Sequence, residues 1–326
     1  MDLSIIIVNW NTRTLLEACL RSVYAETRDL AFELFVVDNA SADGSSEMVE
    51  RTFPQVRLIR NAANVGFARA NNQALRLSRG RYALLLNPDT VILDQSLVQM
   101  VHVMDQHPDI GALGPKVLTA QRAIDLRCAR RFPGLLSELF ELTRLSARFP
   151  QNRLFGHYLM SYWGHDDDRD VDALSGACLM VRRDAFEEVG MMDEDFFMYA
   201  EDIDWCYRFK KAGWRVFYYS AAAILHLGNQ SSQLARTEMG IERFRSRQRF
   251  FEKHCGSSYA TLYRGVLLLI TLFKQLIFLA GFVRHRGSQR DGYREKIGLH
   301  GQVLRWVLTG TTSSVEDKGG LAWNAP

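Results

Sequence analysis

The first half of the chain alternates short apolar runs with longer stretches of helical periodicity. Helical patterns separate the runs, and such alternation is typical of a parallel sheet with helices on both faces. We therefore predict an α/β fold with a mostly parallel sheet. The predicted strands are Leu3 to Val8, Glu33 to Val37, Val56 to Arg60 and Tyr82 to Leu86.

Polar residues follow each predicted strand directly. In open α/β sheets, ligands bind beyond the carboxyl ends of the strands, so these side chains are the first candidates for chemistry. Because the four strands are expected to be parallel, their ends lie on one rim. The candidates are Asn9 and Asn11, Asp38 and Asn39, Asn61 and Asn64, and Asn87 and Asp89.

The pattern loosens in the middle of the chain, from about Ala120 to Asp172, where arginines, aromatic residues and a charged turn occur together. We expect this segment to determine the specificity of the protein for one of its ligands. Regular structure then resumes with an apolar run that ends at Val181, two helical segments and a further strand. The helical segments run from Asp184 to Val189 and from Asp202 to Ala212, and the strand from Val216 to Tyr219.

The C-terminal part begins with an Arg-rich helical stretch from about Arg236 to Lys253, which is either a solvated helix or a phosphate clamp. Two apolar octets follow, Val266 to Phe273 and Leu276 to Val283, separated by Lys274 and Gln275. A central lysine costs about 2.5 to 3.5 kcal/mol on membrane-insertion scales. We therefore favour a helix lying in the membrane plane, with a core helix of a small helical domain and a true span as alternatives.

Composition narrows the class of protein. The chain has 326 residues and is 47% hydrophobic, which is ample for a buried core. A net charge of +3 is too mild for a nucleic-acid binder. The five cysteines are scattered without metal or redox spacing, and Met1 leads into an apolar run without a basic leader or cleavage site. We expect buried thiols, no cleavable signal and a cytoplasmic catalytic part.

Five short motifs in order along residues 1–226 closely resemble glycosyltransferases of family 2, particularly the rhamnosyltransferase-like branch. The resemblance implies a GT-A fold of the nucleotide-binding, Rossmann-like type over residues 1–227, and transfer with inversion. The composition after residue 227 predicts a helical, basic, membrane-associating region over residues 228–326. The motifs are Ile7-Val8-Asn9-Trp10-Asn11, Val37-Asp38-Asn39-Ala40-Ser41, Asn64-Val65-Gly66-Phe67-Ala68, Leu86-Asn87-Pro88-Asp89 and Glu201-Asp202-Ile203-Asp204-Trp205.

The resemblance assigns the binding of the donor nucleotide-sugar to residues near the strand ends. Asp38 can accept the ring N3 proton of uracil or thymine, which cytosine lacks, although alone it reads as a cap for the following turn. Gly66 is expected to let the backbone approach the donor, and a simple helix cap at Asn64 is equally open. The donor residues are Val8, Asn9, Asn11, Asp38, Asn64, Gly66 and Asn87.

A metal site is implied by the same family. Asn87-Pro88-Asp89 occupies the place of its Asp-X-Asp motif, so Asp89 is expected to ligate Mn²⁺ or Mg²⁺ at the donor diphosphate. Asn87 replaces the first acid and is assigned to the donor sugar or ribose. His226 follows the last strand, where related enzymes carry a histidine ligand. Alone, a histidine beside apolar residues is more often part of the core.

Glu201 and Asp202 open a helix and supply the candidate base. Displacement at C1 of the donor sugar requires an ionised carboxylate near the acceptor hydroxyl. The family match favours Asp202, with Glu201 in reserve or orienting the acceptor. Alone, two acids in a first helical turn are ordinary capping chemistry. Asp204 and Trp205 are expected to shape the acceptor pocket, where an indole offers an apolar face to a sugar.

The sequence thus predicts a metal-dependent inverting glycosyltransferase that moves rhamnose or a similar sugar from a dTDP- or UDP-sugar to a lipid-linked or polysaccharide acceptor. We expect it to be peripheral on the cytoplasmic face of the inner membrane, in cell-surface glycan synthesis. A catalytically silent nucleotide-sugar-binding module is the alternative, although a silent protein has no need of both Asp89 and the acidic pair. A nucleotidyltransferase is disfavoured because Asn9 to Arg13 lacks a Gly-rich basic loop.

Overall fold

A computed structural model of the chain describes residues 1–228 and 236–310. It divides into two compact units, the first from Met1 to Phe250 and the second beginning at Phe251. The domain boundary predicted after residue 227 lies before this division. The division itself falls inside the helix Arg236–Cys255.

The strands are numbered β1 to β11 in chain order. The main sheet has the order β3-β2-β1-β4-β10-β6-β11-β5, with β8 paired to β11, and β7 and β9 form a separate ribbon. The bounds are Leu3–Asn9, Phe32–Asp38, Arg57–Arg60, Tyr82–Leu86, Thr90–Ile92, Ile110–Leu118, Ala129–Arg130, Arg169–Asp170, Ala173–Leu174, Cys178–Arg182 and Arg215–His226.

The helices are numbered α1 to α11 in the same way. Most of them in the first unit follow or precede a strand of the main sheet, which confirms the predicted α/β class. The bounds are Arg13–Glu26, Ser45–Thr52, Phe67–Leu75, Ser96–Gln106, Leu135–Thr143, Leu145–Arg148, Arg183–Val189, Glu201–Lys211, Arg236–Cys255, Ser257–Arg284 and Ser288–Thr309.

Parallel pairing fixes which strand ends meet. β1 lies between β2 and β4 and is parallel to both, and β3 is parallel to β2. All seven residues of β1 are buried, as expected for a parallel strand covered on both faces. The carboxyl ends of β1, β2 and β4 therefore lie side by side, and the four strands predicted in this half are confirmed.

Antiparallel strands bring two further chain segments to the same edge. β10 runs antiparallel to β4, so Cys178 at its start lies opposite Leu86. β11 runs antiparallel to β5, so His226 at its end lies opposite Thr90. The sequence predicted neither β5 nor β6, and it ended the strand at Tyr219, whereas β11 continues through an irregular stretch to His226.

The expectation that the cysteines are buried thiols is confirmed for four of the five. Cys19, Cys128, Cys178 and Cys206 are free and buried, and burial raises the pKa of the Cys19 thiol to about 12. Cys255 is exposed, contrary to the expectation, because it ends α9.

The second unit contains a helical hairpin. α10 is one continuous helix of 28 residues that includes both apolar octets, and it is long and apolar enough to cross a membrane. Of the residues in its most apolar stretch, 11% are buried, whereas most residues of a core helix would be buried. α11 packs on it where Gly281 lies against the ring of Tyr293, and Nε of Arg264 donates to the Val307 carbonyl at 2.6 Å.

Candidate active site

The ends of β1 and β2 are joined by a buried hydrogen-bond network. Nδ2 of Asn9 donates to Oδ1 of Asp38 and to Oγ of Ser41, both at 3.0 Å. Oδ2 of Asp38 accepts from the Ser41 amide at 3.2 Å and from Oγ of Ser46 at 2.9 Å. The carboxylate therefore holds the turn after β2, as its capping alternative predicts, and its role toward a pyrimidine base is left as a proposal.

Asn11 ties the loop after β1 to the same turn. Its φ of 53° is left-handed, a conformation that asparagine tolerates better than most residues. The backbone N–H of Asn11 donates to Oγ of Ser41 at 2.9 Å. The side-chain Oδ1 of Asn11 accepts from the backbone N–H of Ala42 at 2.7 Å. Val8, also assigned to the donor, is buried within β1.

The loop before α3 is held by the side chain of Asn64. Its Oδ1 accepts from the Gly66 amide at 3.0 Å and from Nδ2 of Asn39 at 3.2 Å. Gly66 has a φ of 87°, and a Cβ there would lie 2.6 Å from the carbonyl oxygen of Phe197. The backbone that approaches Gly66 in the structure is that of Phe197, and the expected approach of a donor stays a prediction.

Asp89 and His226 lie together at the edge of the sheet. Nε2 of His226 is 3.1 Å from Oδ1 of Asp89, and Nδ2 of Asn87 lies 3.5 Å from the same nitrogen. Both side chains are mostly buried, with 12% of His226 and 9% of Asp89 exposed. The antiparallel pairing of β11 with β5 produces this proximity.

The separation of these two atoms fits a pair of ligands on one divalent ion. Neighbouring ligand atoms of an octahedral ion with bonds near 2.1 Å lie about 3.0 Å apart. Across residues 1–228 and 236–310 there is no group of three or more His, Cys, Asp or Glu that could hold a metal. A cation bound between Asp89 and His226 would therefore need oxygen ligands from a diphosphate and from water.

The acidic pair begins α8, after two non-glycine residues, Tyr199 and Ala200, with positive φ. Oδ2 of Asp202 accepts from Nη2 of Arg130 at 2.7 Å and from the Gly176 amide at 3.1 Å. Its Oδ1 accepts from the Ile203 amide at 2.8 Å. These donors stabilise the charged carboxylate and fix its orientation.

Glu201 has a different environment from its neighbour. It is 5% exposed, and its Oε2 has no hydrogen-bond partner within the described part of the chain. Burial, followed by the negative charge of Asp202, raises the pKa of the Glu201 carboxyl well above its usual value. Glu201 lacks the three donors that orient the Asp202 carboxylate, so the geometry favours Asp202 over Glu201 as a base.

Two consecutive residues connect the base candidate with the metal candidates. The Gly176 amide donates to Asp202, and the carbonyl of Ala177 accepts from the Asn87 amide at 2.9 Å. This contact follows from the antiparallel pairing of β10 with β4, which places the start of β10 beside the end of β4. The segment Gly176–Ala177 thus holds both halves of the candidate site in fixed relation.

The structure contradicts the acceptor role expected for Trp205 and Asp204. Trp205 is fully buried, and its indole N–H donates to the Gly190 carbonyl at 2.9 Å. Asp204 is also fully buried, and its Oδ2 accepts from Nε of Arg208 at 2.9 Å. Both side chains fix α8 in the core, because this helix buries the face that the sequence pattern had assigned to an acceptor.

Sequence reasoning missed the partner of Asp202. Arg130 lies in the ribbon strand β7, 72 residues before Asp202, and spacing alone does not reveal that contact. The available signal was the pair Arg130-Arg131 in a segment of otherwise loose pattern. Gly176 was visible only as the entry to an apolar run.

The Arg-rich helix α9 is partly buried. Nε of Arg247 lies 2.9 Å from Oε1 of Glu138, and both side chains are buried. Arg245 pairs with Glu242 at 2.8 Å and Arg249 pairs with Asp195, and these two arginine side chains are 40% and 43% exposed. Arg247 is thus fixed inside the protein, whereas the two alternatives, a solvated helix or a phosphate clamp, stay predictions for the exposed arginines.

Comparison with known proteins identifies the family. The model of the glycosyltransferase-like family 2 matches residues 2–245, and the chain belongs to that family. It is 30% identical over 236 residues to the N-acetylglucosaminyl-diphospho-decaprenol L-rhamnosyltransferase of Mycobacterium tuberculosis, covering 69% of this chain and 75% of that protein. The rhamnosyltransferase WbbL of Escherichia coli is 26% identical over 179 residues, covering 52% and 63%.

The fold comparison agrees. A mannosyltransferase from Pyrobaculum calidifontis, solved with GDP-mannose and Mn²⁺, has a TM-score of 0.53 and 17% identity, covering 94% of this chain and 86% of that one. This similarity confirms the GT-A-like fold. The chain is therefore a glycosyltransferase with rhamnosyltransferase relatives in cell-surface glycan synthesis, and the resemblance inferred from its motifs is confirmed.

Proposed function

We propose that this glycosyltransferase is metal-dependent and inverting, and that it moves rhamnose or a similar sugar from a dTDP- or UDP-sugar to a hydroxyl of a lipid-linked acceptor. One observation carries the proposal. The segment Gly176–Ala177 binds Asp202 on one side and the Asn87 backbone, two residues from Asp89, on the other. A base and a metal-binding carboxylate so connected suit transfer better than binding alone.

The proposed donor-binding site rests on the hydrogen bonds that join the ends of β1 and β2 and the loop before α3. Asn9, Asp38 and Asn64 are held at the rim where ligands of open α/β sheets bind. The names of two relatives specify rhamnosyl transfer, which favours a dTDP-sugar over other donors. Asn87, beside His226, is the residue we assign to the donor sugar or ribose.

Asp89 and His226 would hold Mn²⁺ or Mg²⁺ between them. A bound divalent ion neutralises the negative charge that grows on the departing diphosphate. The fold neighbour from Pyrobaculum calidifontis was solved with Mn²⁺, and an imidazole ligand suits Mn²⁺ better than Mg²⁺.

Asp202 acts as the general base. Its carboxylate takes the proton of the acceptor hydroxyl while that oxygen forms its bond to C1 and the bond from C1 to the diphosphate oxygen breaks. Displacement in one step inverts the configuration at C1. Arg130 and the Gly176 amide position the carboxylate, so Arg130 is a positioning residue in this scheme.

We place the reaction on the cytoplasmic face of the membrane, with a polyprenyl-diphosphate-linked sugar as the acceptor class. The name of the Mycobacterium tuberculosis relative specifies such an acceptor. The exposed apolar surface of α10 supports association with a membrane, either in the plane or across it. A silent nucleotide-sugar-binding module is the competing function, and it would bind the donor without releasing nucleoside diphosphate.

The test is release of nucleoside diphosphate from a panel of dTDP- and UDP-sugars by the full chain with detergent-dispersed membrane lipid. Release from one donor that requires Mn²⁺ or Mg²⁺ and is lost in Asp202→Asn supports the proposal. Saturable donor binding without release from any donor, in the presence of lipid from several bacterial sources, favours the silent module. Retention of activity in chelator and in Asp202→Asn contradicts both the metal and the base.

A further inference from the structure

The hairpin of α5 and α6 carries large apolar side chains that face solvent. Leu136, Phe149 and Leu154 are 63%, 46% and 59% exposed. Exposed apolar side chains that occur singly need no explanation, whereas a group of them marks an interaction surface. The contacts among these side chains decide whether they are scattered or form such a surface.

Ring contacts join these positions into one surface. Leu136 and Phe140 lie one helical turn apart on the same face of α5. The ring of Phe140 is 4.9 Å from that of Phe155, and the ring of Phe149 is 5.6 Å from that of Phe155. Phe140, Phe149 and Phe155 therefore form one ring cluster, which Leu136 and Leu154 flank in the chain.

Basic side chains predominate around this surface. The exposed charges of residues 136–162 belong to three arginines, whereas Glu141 is half-buried and Glu138 is buried against Arg247. Arg144, Arg148 and Arg153 are exposed, and the guanidinium of Arg148 lies 5.4 Å from the ring centroid of Phe149. We call the three arginines with Leu136, Phe149 and Leu154 the apolar-basic surface. Arginine beside exposed aromatic and leucine side chains is the composition that binds anionic lipid headgroups.

Buried contacts connect the underside of the hairpin to the candidate active site. Glu138 of α5 pairs with Arg247, whose Nη2 donates to the hydroxyl of Tyr158 at 2.7 Å. The carbonyl of Tyr158 accepts from the Arg131 amide at 2.9 Å, and the preceding residue, Arg130, holds Asp202. A surface on this hairpin is thus fixed relative to the base.

We propose that the apolar-basic surface rests on an anionic lipid bilayer and presents a lipid-linked acceptor to Asp202. The proposal rests on the proposed function for the identity of the acceptor, but lipid contact itself does not require sugar transfer. It assigns a membrane contact to the first unit, in addition to the apolar helix α10 of the second.

The test places a fluorophore at single cysteines of the full chain. Phe149→Cys and Leu154→Cys are each made in a Cys255→Ser background, because the other four cysteines are buried. Leu77→Cys, at a residue that is 47% exposed and outside the surface, is the matched control. Each is labelled with an environment-sensitive dye and mixed with phosphatidylglycerol vesicles that contain spin-labelled lipid. No sugar donor is needed, so failure of the proposed function leaves this readout intact.

We expect a blue shift and quenching at positions 149 and 154 and neither at position 77. Vesicles of phosphatidylcholine alone should give a weaker effect, and Arg148→Gln with Arg153→Gln should weaken contact with phosphatidylglycerol by about fivefold per charge. The exposed pair Arg28→Gln with Arg51→Gln is the charge control. Bound protein with an unchanged signal at positions 149 and 154, or no binding to any vesicle, overturns the proposal. A concentration-dependent shift at position 149 without lipid identifies a second copy as the occupant and also overturns it.

Discussion

Nε2 of His226 lies 3.1 Å from Oδ1 of Asp89, although the two residues are far apart in the chain. The antiparallel pairing of β11 with β5 is the cause, because it sets His226 opposite Thr90. The contact is an ion pair or hydrogen bond as it stands, and a carboxylate and an imidazole at this separation can also bind one cation together.

The contact between Arg130 and Asp202 should control transfer without affecting donor binding. In Arg130→Met the carboxylate stays mostly buried but loses the donor that orients it. We expect the kcat of transfer to fall by about 10-fold or more, with donor binding little changed. Arg79→Met, at an exposed arginine, should behave as the parent. Equal transfer by the two variants would contradict the positioning role.

Glu201 should make the stability of the fold fall as pH rises. Its pKa is raised by burial and by Asp202, so between the unfolded and folded values the native state binds a proton that the unfolded state has released. Each pH unit across that interval costs about 1.4 kcal/mol of unfolding free energy. Glu201→Gln removes this loss, so its stability relative to the parent should increase from pH 5 to pH 8. Urea denaturation at both values measures it, and a pH-independent difference would be evidence against a neutral Glu201.

Gly66→Ala should destabilise the protein because of two coincident constraints. Its φ is 87°, and the new Cβ would meet the backbone of Phe197, which cannot rotate away. We expect a loss of about 2 kcal/mol, the cost of a strained backbone conformation. Gly240→Ala is the matched control, since Gly240 lies in α9 with open space around it. That change should stabilise by about 0.5–1 kcal/mol, and equal midpoints of denaturation in the two variants would disprove the explanation.

Arg247→Met should be more damaging than its place in an Arg-rich helix suggests. It would leave Glu138 buried without its cation, and breaking a buried ion pair in this way costs about 3–5 kcal/mol. Arg243→Met, at an exposed position of the same helix, should change stability by less than about 0.5 kcal/mol. Chemical denaturation of the two variants gives the comparison. Similar stabilities would mean that α9 is a solvated helix after all.

The sequence revealed those parts of the fold that depend on local pattern. Apolar runs between helical stretches located β1 to β4, and the polar residues after them located Asp38, Asn64 and Asp89 at one edge of the sheet. These features need only a few neighbouring residues to be recognised. Family resemblance added His226 and the acidic pair.

The remainder depends on tertiary contacts that pattern does not encode. The partner of Asp202, Arg130, is fixed by the ribbon of β7 and β9. Trp205 was assigned to an acceptor pocket because of its chemistry, whereas the packing of α8 buries it. Glu201 and Asp202 are adjacent and alike in sequence, yet Oε2 of Glu201 has no partner in the described part of the chain, whereas the Asp202 carboxylate has three donors. The family match favoured Asp202, and the folded arrangement supplies a physical reason for that choice.

The central claim is that Asp89 and Asp202 have separate tasks in one site. The direct measurement compares Asp89→Asn with Asp202→Asn for Mn²⁺-dependent binding of the donor nucleotide by calorimetry, and for transfer with the full chain. We predict that Asp89→Asn loses metal-dependent binding, whereas Asp202→Asn binds normally and loses transfer by about 100-fold or more. Asp94→Asn, at an exposed turn carboxylate, should behave as the parent. Equal loss of binding in both acid variants, or full transfer by Asp202→Asn, would contradict the account.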